Sequence, residues 1–116
     1  MKNLKIVIAI LFFTSFISVK AQKEKKVETA EFKVEGVCGQ CKSRIETAID
    51  TKGVRFAEWN KETKMLKVVF SPAKISLEEI HQKLADIGHS TEKNQATDEN
   101  YNKLPDCCKY KTKSTH

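Results

Sequence analysis

The feature that most constrains this chain is a pair of cysteines, Cys38 and Cys41, at the point where a strand pattern changes into a helix pattern. Before the pair, Phe32 and Val34 alternate with charged residues, as in a half-buried β-strand. After it, apolar residues recur at helical spacing as far as Ile49. A fold that satisfies both patterns must place the two thiols at a strand–loop–helix junction.

The residues around the two cysteines favour thiolate over thiol. We expect Cys41 to open the helix, where unpaired N–H groups and the positive end of the helix dipole stabilise negative charge. Lys42 and Arg44 add positive charge nearby. Gly36 and Gly39 let the loop backbone fold tightly around whatever the sulfurs bind. The sequence therefore predicts two thiols with a high affinity for a soft cation.

Hydrophobic spacing divides the rest of the chain into alternating elements. Strands are predicted over residues 29–35, 54–59, 64–70 and 89–93, and helices over residues 41–51 and 77–87. Ser76 and Glu79 form a capping box at the start of the second helix, and Gly88 ends that helix. Thr97 is a candidate cap for a short final helix that Pro105 would stop. The order predicts an α+β, ferredoxin-like βαββαβ sandwich with two helices on a four-stranded antiparallel sheet.

The first 21 residues are expected to be a signal peptide rather than part of the fold. A short basic start precedes the apolar run from Ile6 to Ile17, which is shorter than the roughly 20 residues of a membrane span. Cleavage before Gln22 would release the protein into a bacterial periplasm without a membrane attachment, and a retained anchor is the alternative. We interpret residues 22–28 as a leader arm, residues 29–93 as the domain and residues 94–116 as a cysteine-containing tail.

The basic charge of the chain does not indicate nucleic-acid binding. The formal net charge is +6, from 21 basic and 15 acidic residues. Without Lys2, Lys5 and Lys20 of the predicted signal peptide, 18 basic residues face 15 acidic ones, a net of +3. These charges are interspersed, and no platform of aromatic and basic residues accompanies them.

The segment Gly36-Val37-Cys38-Gly39-Gln40-Cys41, followed by this order of elements, resembles the heavy-metal-associated domain family. The resemblance covers residues 29–93 and matches Cys38 and Cys41 to the two metal-binding cysteines of the family. It implies the ferredoxin-like fold and a metal carrier or scavenger rather than an enzyme. The shortened loop and the double-cysteine tail resemble exported members of the Bacteroidetes type.

This chain departs from the family pattern at two places. Only Val37 separates Gly36 from Cys38, where the family usually has a methionine and one further residue. The loop is therefore one residue shorter, and Val37 stands in place of the methionine that anchors it in the core. His89 occupies the start of the last strand, where an aromatic residue or a lysine is common and where this fold approaches the metal loop.

Soft sulfur ligands select soft or borderline metals, which here means Cu(I), Hg(II), Ag(I), Zn(II) or Cd(II). Two thiolates suit the near-linear coordination of Cu(I) or Hg(II), whereas zinc normally takes four ligands. We therefore expect Cu(I) at an exposed two-ligand site, from which the thiols of a partner can remove the ion. A membrane metal transporter, or its metal-binding domain, is the expected partner.

The remaining cysteines and histidines leave several roles open. Cys107 and Cys108 could fold over the first pair as extra ligands, form a second site, or form disulfides. His89 is a further candidate ligand, although a loop histidine is more often a structural or exposed residue. His81 is expected on the surface of the second helix.

Two other functional classes compete with metal binding. The Cys-x-x-Cys spacing at a helix start also occurs in thioredoxin-like redox modules, but no tryptophan precedes Cys38 and the strand order differs from that fold. In the second class, an interaction module binds protein through its sheet and can dispense with Cys38 and Cys41.

Overall fold

The computed structural model describes residues 26–116, so the predicted signal peptide and residues 22–25 of the predicted leader arm lie outside the described residues. The described chain contains three strands, three α-helices and one short 3-10 helix. The strands are β1 (Glu28–Lys33), β2 (Val54–Trp59) and β3 (Met65–Phe70), the α-helices are α1 (Gly39–Ala48), α2 (Leu77–Asp86) and α3 (Asp98–Asn102), and the 3-10 helix is Asp106–Cys108. Within this part of the chain, no helix has the length and apolar character needed to cross a membrane.

The alternating strand pattern produces a sheet with one buried and one solvated face. β3 lies in the centre and pairs antiparallel with β1 and β2. Phe32, Leu66 and Trp59 are partners across the three strands, and all three are buried. On the opposite face, Lys67 lies between two glutamates of the outer strands. The apolar face packs against the helices and forms the core.

The two long helices cover that face; α2 ends at Asp86, one residue before the predicted end, whereas α1 ends at Ala48, three residues before it. Cys41, Ile45 and Ile49 of the first helical segment are fully buried. At the start of α2, Ser76 Oγ accepts a hydrogen bond from the Glu79 backbone N–H at 3.1 Å, as the capping box predicts. These elements and the antiparallel sheet confirm the predicted α+β, ferredoxin-like fold.

Gly88 allows the helix that follows to pack directly against the end of α2. Its φ of 99° lies in the left-handed region. A Cβ atom at this position would lie 2.7 Å from the Asn100 carbonyl oxygen and 2.9 Å from Leu104. A glycine is therefore required here by the backbone conformation and by the close approach of α3. Thr97 caps α3 through a 3.1 Å hydrogen bond from the Asn100 N–H.

The predicted last strand is reduced to a short pairing with the end of β1. Val34 and Thr91 form a single bridge, and the Glu35 N–H donates to the Ser90 carbonyl at 2.8 Å. Immediately afterwards Thr91 Oγ1 accepts hydrogen bonds from the backbone N–H groups of Lys93 and Asn94. These bonds turn the chain away from the sheet, so the pairing stops after a few residues.

The prediction that His81 lies on the surface is wrong. Its side chain is only 1% exposed, its ring lies 3.9 Å from the Phe32 ring, and its Nδ1 lies 2.6 Å from Thr91 Oγ1. Thr91 supplies the polar partner that a buried imidazole needs, and this contact is not visible in the pattern of α2 alone. Burial lowers the pKa of His81 below its ordinary value.

We expect acidification to destabilise the fold through His81. The unfolded chain, with a histidine pKa of about 6.5, binds the proton before the folded chain does. The stability that neutral His81 provides is therefore complete above that pH and is lost below it, by up to about 1.4 kcal/mol per pH unit. Urea unfolding at pH 7.5 and 5.5 should show a smaller loss for His81→Asn than for the wild type. An equal loss in both proteins would contradict this assignment.

Candidate metal centre

The indole ring of Trp59 packs against the cysteine loop, residues 34–38. Trp59 is buried, and its Nε1–H donates to the Val34 carbonyl at 3.0 Å and lies 3.2 Å from the Lys64 carbonyl oxygen. A Cβ atom added to Gly36 would lie 2.9 Å from Trp59 Cζ2 and 3.1 Å from Cys41 Cβ. The indole therefore fixes the position of the loop, and a glycine is required at Gly36 for this close approach. Gly39 has no such neighbour within 4 Å.

Helix α1 begins two residues earlier than predicted. Its first residue is Gly39, so Cys38 is the N-cap and Cys41 lies within the first turn. The prediction that Cys41 opens the helix is therefore wrong, because the helical backbone already begins at Gly39. The two sulfur atoms are 3.3 Å apart, and Cys41 Sγ accepts the Val37 N–H at 3.5 Å. Both thiols thus converge on one point at the helix N-terminus.

The Cys38 thiol, at the N-cap of α1, is more acidic than the Cys41 thiol. Burial by itself raises the pKa of Cys38, but hydrogen bonds from the Cys41 backbone N–H and from neighbouring thiols outweigh it and lower the pKa to about 7. Burial raises the pKa of Cys41, and it raises that of Cys108 strongly. Cys38 is therefore the sulfur that carries negative charge most readily in the metal-free protein.

The predicted effect of Lys42 on the thiols is wrong. Its ammonium donates to the Glu46 carboxylate and, at 3.1 Å, to the Trp59 carbonyl, so it joins α1 to β2. Arg44 donates to the Ile87 carbonyl at 3.2 Å and has a buried Nε atom without a hydrogen-bond partner. Its positive charge acts on His89 instead.

The expectation of an exposed site is also wrong. Cys38 is 5% exposed, while Cys41 and Cys108 are fully buried. The cause is the C-terminal segment, residues 98–116, which packs over the cysteine loop. The segment reaches back so far that the His116 N–H donates to the Val37 carbonyl at 2.7 Å. The sulfur atoms therefore lie beneath a layer of protein that the isolated loop pattern does not predict.

Tyr110 attaches the C-terminal segment to the domain. Its hydroxyl donates to the Gly88 carbonyl at 2.8 Å and accepts from the Ser90 N–H at 3.3 Å. Its ring packs edge-on against the Tyr101 ring at 5.0 Å. No local pattern in the sequence predicts this role of Tyr110; the available signal is an aromatic residue two positions after a cysteine pair in an otherwise polar tail.

The attached segment brings both of its cysteines to the first pair. Cys108 Sγ lies 3.7 Å from Cys38 Sγ and 4.0 Å from Cys107 Sγ. Cys107 lies closer to the surface and donates to Gln40 Oε1 at 2.7 Å. All four cysteines are free thiols. The arrangement is the one expected of extra ligands that fold over the first pair.

His89 lies close to two of these sulfurs, those of Cys41 and Cys108. It is fully buried, with Nδ1 2.7 Å from the Glu35 carbonyl oxygen and with no hydrogen-bond partner for Nε2. A carbonyl oxygen only accepts, so Nδ1 carries the proton and Nε2 presents a lone pair. Burial, together with the positive charge of Arg44, lowers the pKa of His89 to about 4 against the opposing effect of the Glu35 bond. The imidazole is therefore neutral at neutral pH and able to bind a cation.

Within residues 26–116, two groups of three side chains have ligand atoms that all lie within 4.8 Å of one another. The first is Cys38, Cys107 and Cys108, and the second is Cys41, His89 and Cys108. All five residues that the sequence suggested as ligands belong to these groups. Their sulfur and imidazole donors match the preferences of soft and borderline metal ions.

Comparison with known proteins places this arrangement in a family. The model of the heavy-metal-associated domain matches residues 31–90, which include Cys38, Cys41 and His89 and exclude Cys107 and Cys108. Among curated proteins no relative matches the sequence.

Solved structures share the same fold at modest identity. The CopZ metallochaperone is 29% identical with a TM-score of 0.53, over 55% of this chain and 98% of that one. Oxidized MerP from Ralstonia metallidurans CH34 is 28% identical with a TM-score of 0.55, over 58% and 96%. The N-terminal domain of a potential copper-translocating P-type ATPase from Bacillus subtilis, in the Cu(I)-loaded state, is 28% identical with a TM-score of 0.54, over 57% and 85%.

We expect Gly36 and Gly39, which lie before and after Cys38, to differ in their tolerance of substitution. Gly36→Ala forces a methyl group against the Trp59 ring and should destabilise the fold by about 1–3 kcal/mol. Gly39→Ala adds a methyl group in open space at the start of α1 and should change stability by less than about 1 kcal/mol. Urea unfolding of both variants measures the difference, and equal effects would contradict the role of the indole.

We expect Tyr110→Phe to loosen the cover over the sulfurs, because it removes the hydroxyl that bonds to Gly88 and Ser90. The rate at which Cys38 and Cys41 are alkylated in the reduced protein should rise severalfold. Thr112→Ala is the matched control, since it also removes a hydroxyl of the C-terminal segment, one that bonds only to Lys109. Equal alkylation rates in Tyr110→Phe and the control would show that this hydroxyl does not hold the segment in place.

Proposed function

This chain belongs to the heavy-metal-associated domain family, and from that premise we propose that it is an exported, periplasmic carrier or scavenger of a soft metal ion, principally Cu(I). Cys38 and Cys41 are the primary ligands, and Cys107, Cys108 and His89 complete the site. The observation that carries the proposal is the 3.3 Å separation of Cys38 Sγ and Cys41 Sγ at the N-terminus of α1.

The chemistry of the donors supports Cu(I) over harder ions. Thiolate sulfur is a soft ligand, and a site composed of sulfur and imidazole discriminates against oxygen-seeking cations such as Mg²⁺ and Ca²⁺. The similar structures include a metallochaperone and a Cu(I)-loaded ATPase domain. Hg(II), Ag(I), Cd(II) and Zn(II) meet the same donor preferences and are competing cargoes.

The C-terminal segment that covers the sulfur atoms affects how a bound ion is transferred to a partner. A partner thiol can take the ion only after the C-terminal segment moves away from the sulfur atoms, since Cys41 and Cys108 have no exposed surface. This favours retention of the ion until a partner binds. The partner we propose is a membrane metal transporter or its metal-binding domain, consistent with the occurrence of this fold in P-type ATPases.

A thiol-redox module is the second candidate. It is favoured by one observation, a Cys38 thiol with a pKa of about 7 beside the Cys41 sulfur at 3.3 Å. A thiolate in that position could attack the disulfide of a partner, and attack of the Cys41 thiol on the resulting mixed disulfide would leave a Cys38–Cys41 disulfide and release the partner as a dithiol. In this case activity requires Cys38 and Cys41 but no metal, and the buried His89 has no part in it.

We expect Cys38→Ser or Cys41→Ser to abolish tight Cu(I) binding, because each removes one of the two primary soft ligands. His89→Ala should weaken binding modestly. Competition with a chromophoric Cu(I) chelator under anaerobic conditions measures these affinities. Gly39→Ala is the control, since it alters the residue directly after Cys38, at the start of α1, but leaves every ligand in place.

Near-normal affinity in either serine variant would contradict the proposal. A disulfide-reduction assay on the metal-free protein separates the redox candidate. Reversible turnover that depends on Cys38 and Cys41, together with weak Cu(I) binding by the wild type, would favour a redox module over a metal carrier.

A further inference from the structure

The ligand atoms of the metal centre form two overlapping groups of three, and Cys38 Sγ of one group lies 3.3 Å from Cys41 Sγ of the other. Cys38 and Cys107 group with Cys108 on the side facing the surface, whereas Cys41 and His89 group with Cys108 in the interior. The outer group contains the only member with appreciable exposure, Cys107, while every member of the inner group is fully buried. The two positions share one atom, Cys108 Sγ.

The position of Cys108 suits it to serve both groups. It is fully buried, and its sulfur lies 3.7 Å from Cys38 Sγ and 4.0 Å from Cys107 Sγ. It also lies within 4.8 Å of Cys41 Sγ and a nitrogen of His89. A thiolate sulfur has several lone pairs and can donate to two soft ions at once. Cys108 can therefore bridge an ion in the outer position and another in the inner one.

His89 provides independent support for an ion in the inner position. Its Nε2 atom is buried and has no hydrogen-bond partner, although buried polar atoms normally have one. The bond from Nδ1–H to the Glu35 carbonyl fixes the tautomer and the ring orientation, which is how proteins position metal-binding imidazoles. A cation bound between Cys41 and Cys108 would satisfy the Nε2 lone pair.

The number of donors also favours two ions. A single Cu(I) ion takes two or three ligands and would leave at least two of the five donors unused inside the protein. Two ions with three donors each use all five, with Cys108 counted twice.

We propose that the protein binds two Cu(I) ions in a thiolate-bridged pair, one held by Cys38, Cys107 and Cys108 and the other by Cys41, His89 and Cys108. This inference rests on the proposed function. Binding involves no change of oxidation state: each thiol releases its proton to solvent as its sulfur binds copper, and the copper remains Cu(I).

Native mass spectrometry and copper X-ray absorption of the full chain test the pair directly. The reduced protein is titrated anaerobically with Cu(I) alone, without competing metals. We expect saturation at two ions per chain, with a copper–copper scattering shell and a nitrogen contribution of one imidazole per two coppers. The wild-type spectrum provides this test whether or not a given variant folds.

Two matched variants assign the positions. His89→Asn can keep the bond to the Glu35 carbonyl through its side-chain amide but lacks Nε2, so the stoichiometry should fall from two ions to one. His81→Asn is its control, since it makes the same substitution at a buried histidine outside both groups and should leave two ions bound. Cys107→Ser should also reduce the stoichiometry to one, because it removes a ligand of the outer position but leaves both primary ligands, Cys38 and Cys41, in place.

Saturation of the wild type at one ion, or at two ions without a copper–copper shell, would overturn the pair. If binding in that case still required Cys38 and Cys41, the proposed carrier function would stand and only the two-ion inference would fall. If the wild type bound no copper, or if either Cys38→Ser or Cys41→Ser kept near-normal affinity, the proposed function would fall as well.

Discussion

The packing of the C-terminal segment over the cysteine loop is the constraint on which the metal centre depends. From below, the Trp59 indole fixes the loop through the close approach at Gly36. From above, Tyr110 and the backbone bond from His116 to Val37 hold the segment in place. Between the indole and the C-terminal segment, Cys108 Sγ lies 3.7 Å from Cys38 Sγ. A two-cysteine loop thereby becomes a buried cluster of sulfur and imidazole donors.

Much of the fold could be predicted from local patterns, because each pattern carries its own physical cause. Apolar residues alternate along β1 and β3 because one face of the sheet is buried. A serine precedes α2 and a glycine follows it because the backbone N–H and C=O groups at helix ends need hydrogen-bond partners. The cysteine pair could be located for the same reason, since it lies where one period changes to another. These features depend on neighbours in sequence, and the structure confirms the fold class that they predict.

What could not be predicted depends on contacts between residues far apart in sequence. His81 is buried because Thr91 supplies its hydrogen bond, and a helix pattern does not reveal that partner. The thiols are covered because Tyr110 reaches the end of α2, a contact that leaves no period in the tail. α1 starts at Gly39, which makes Cys38 the N-cap, and the first two residues of this helix, Gly39 and Gln40, do not share the apolar period that marks the rest of it.

The most direct test of this account is nuclear Overhauser spectroscopy on the reduced, metal-free protein, which measures whether the C-terminal segment lies on the cysteine loop in solution. We expect cross-peaks between the β-protons of Cys38 and Cys108, together with cross-peaks from the Tyr110 ring to residues 88–90. Random-coil chemical shifts throughout residues 105–116, with no cross-peak to the loop, would contradict the buried metal centre described above.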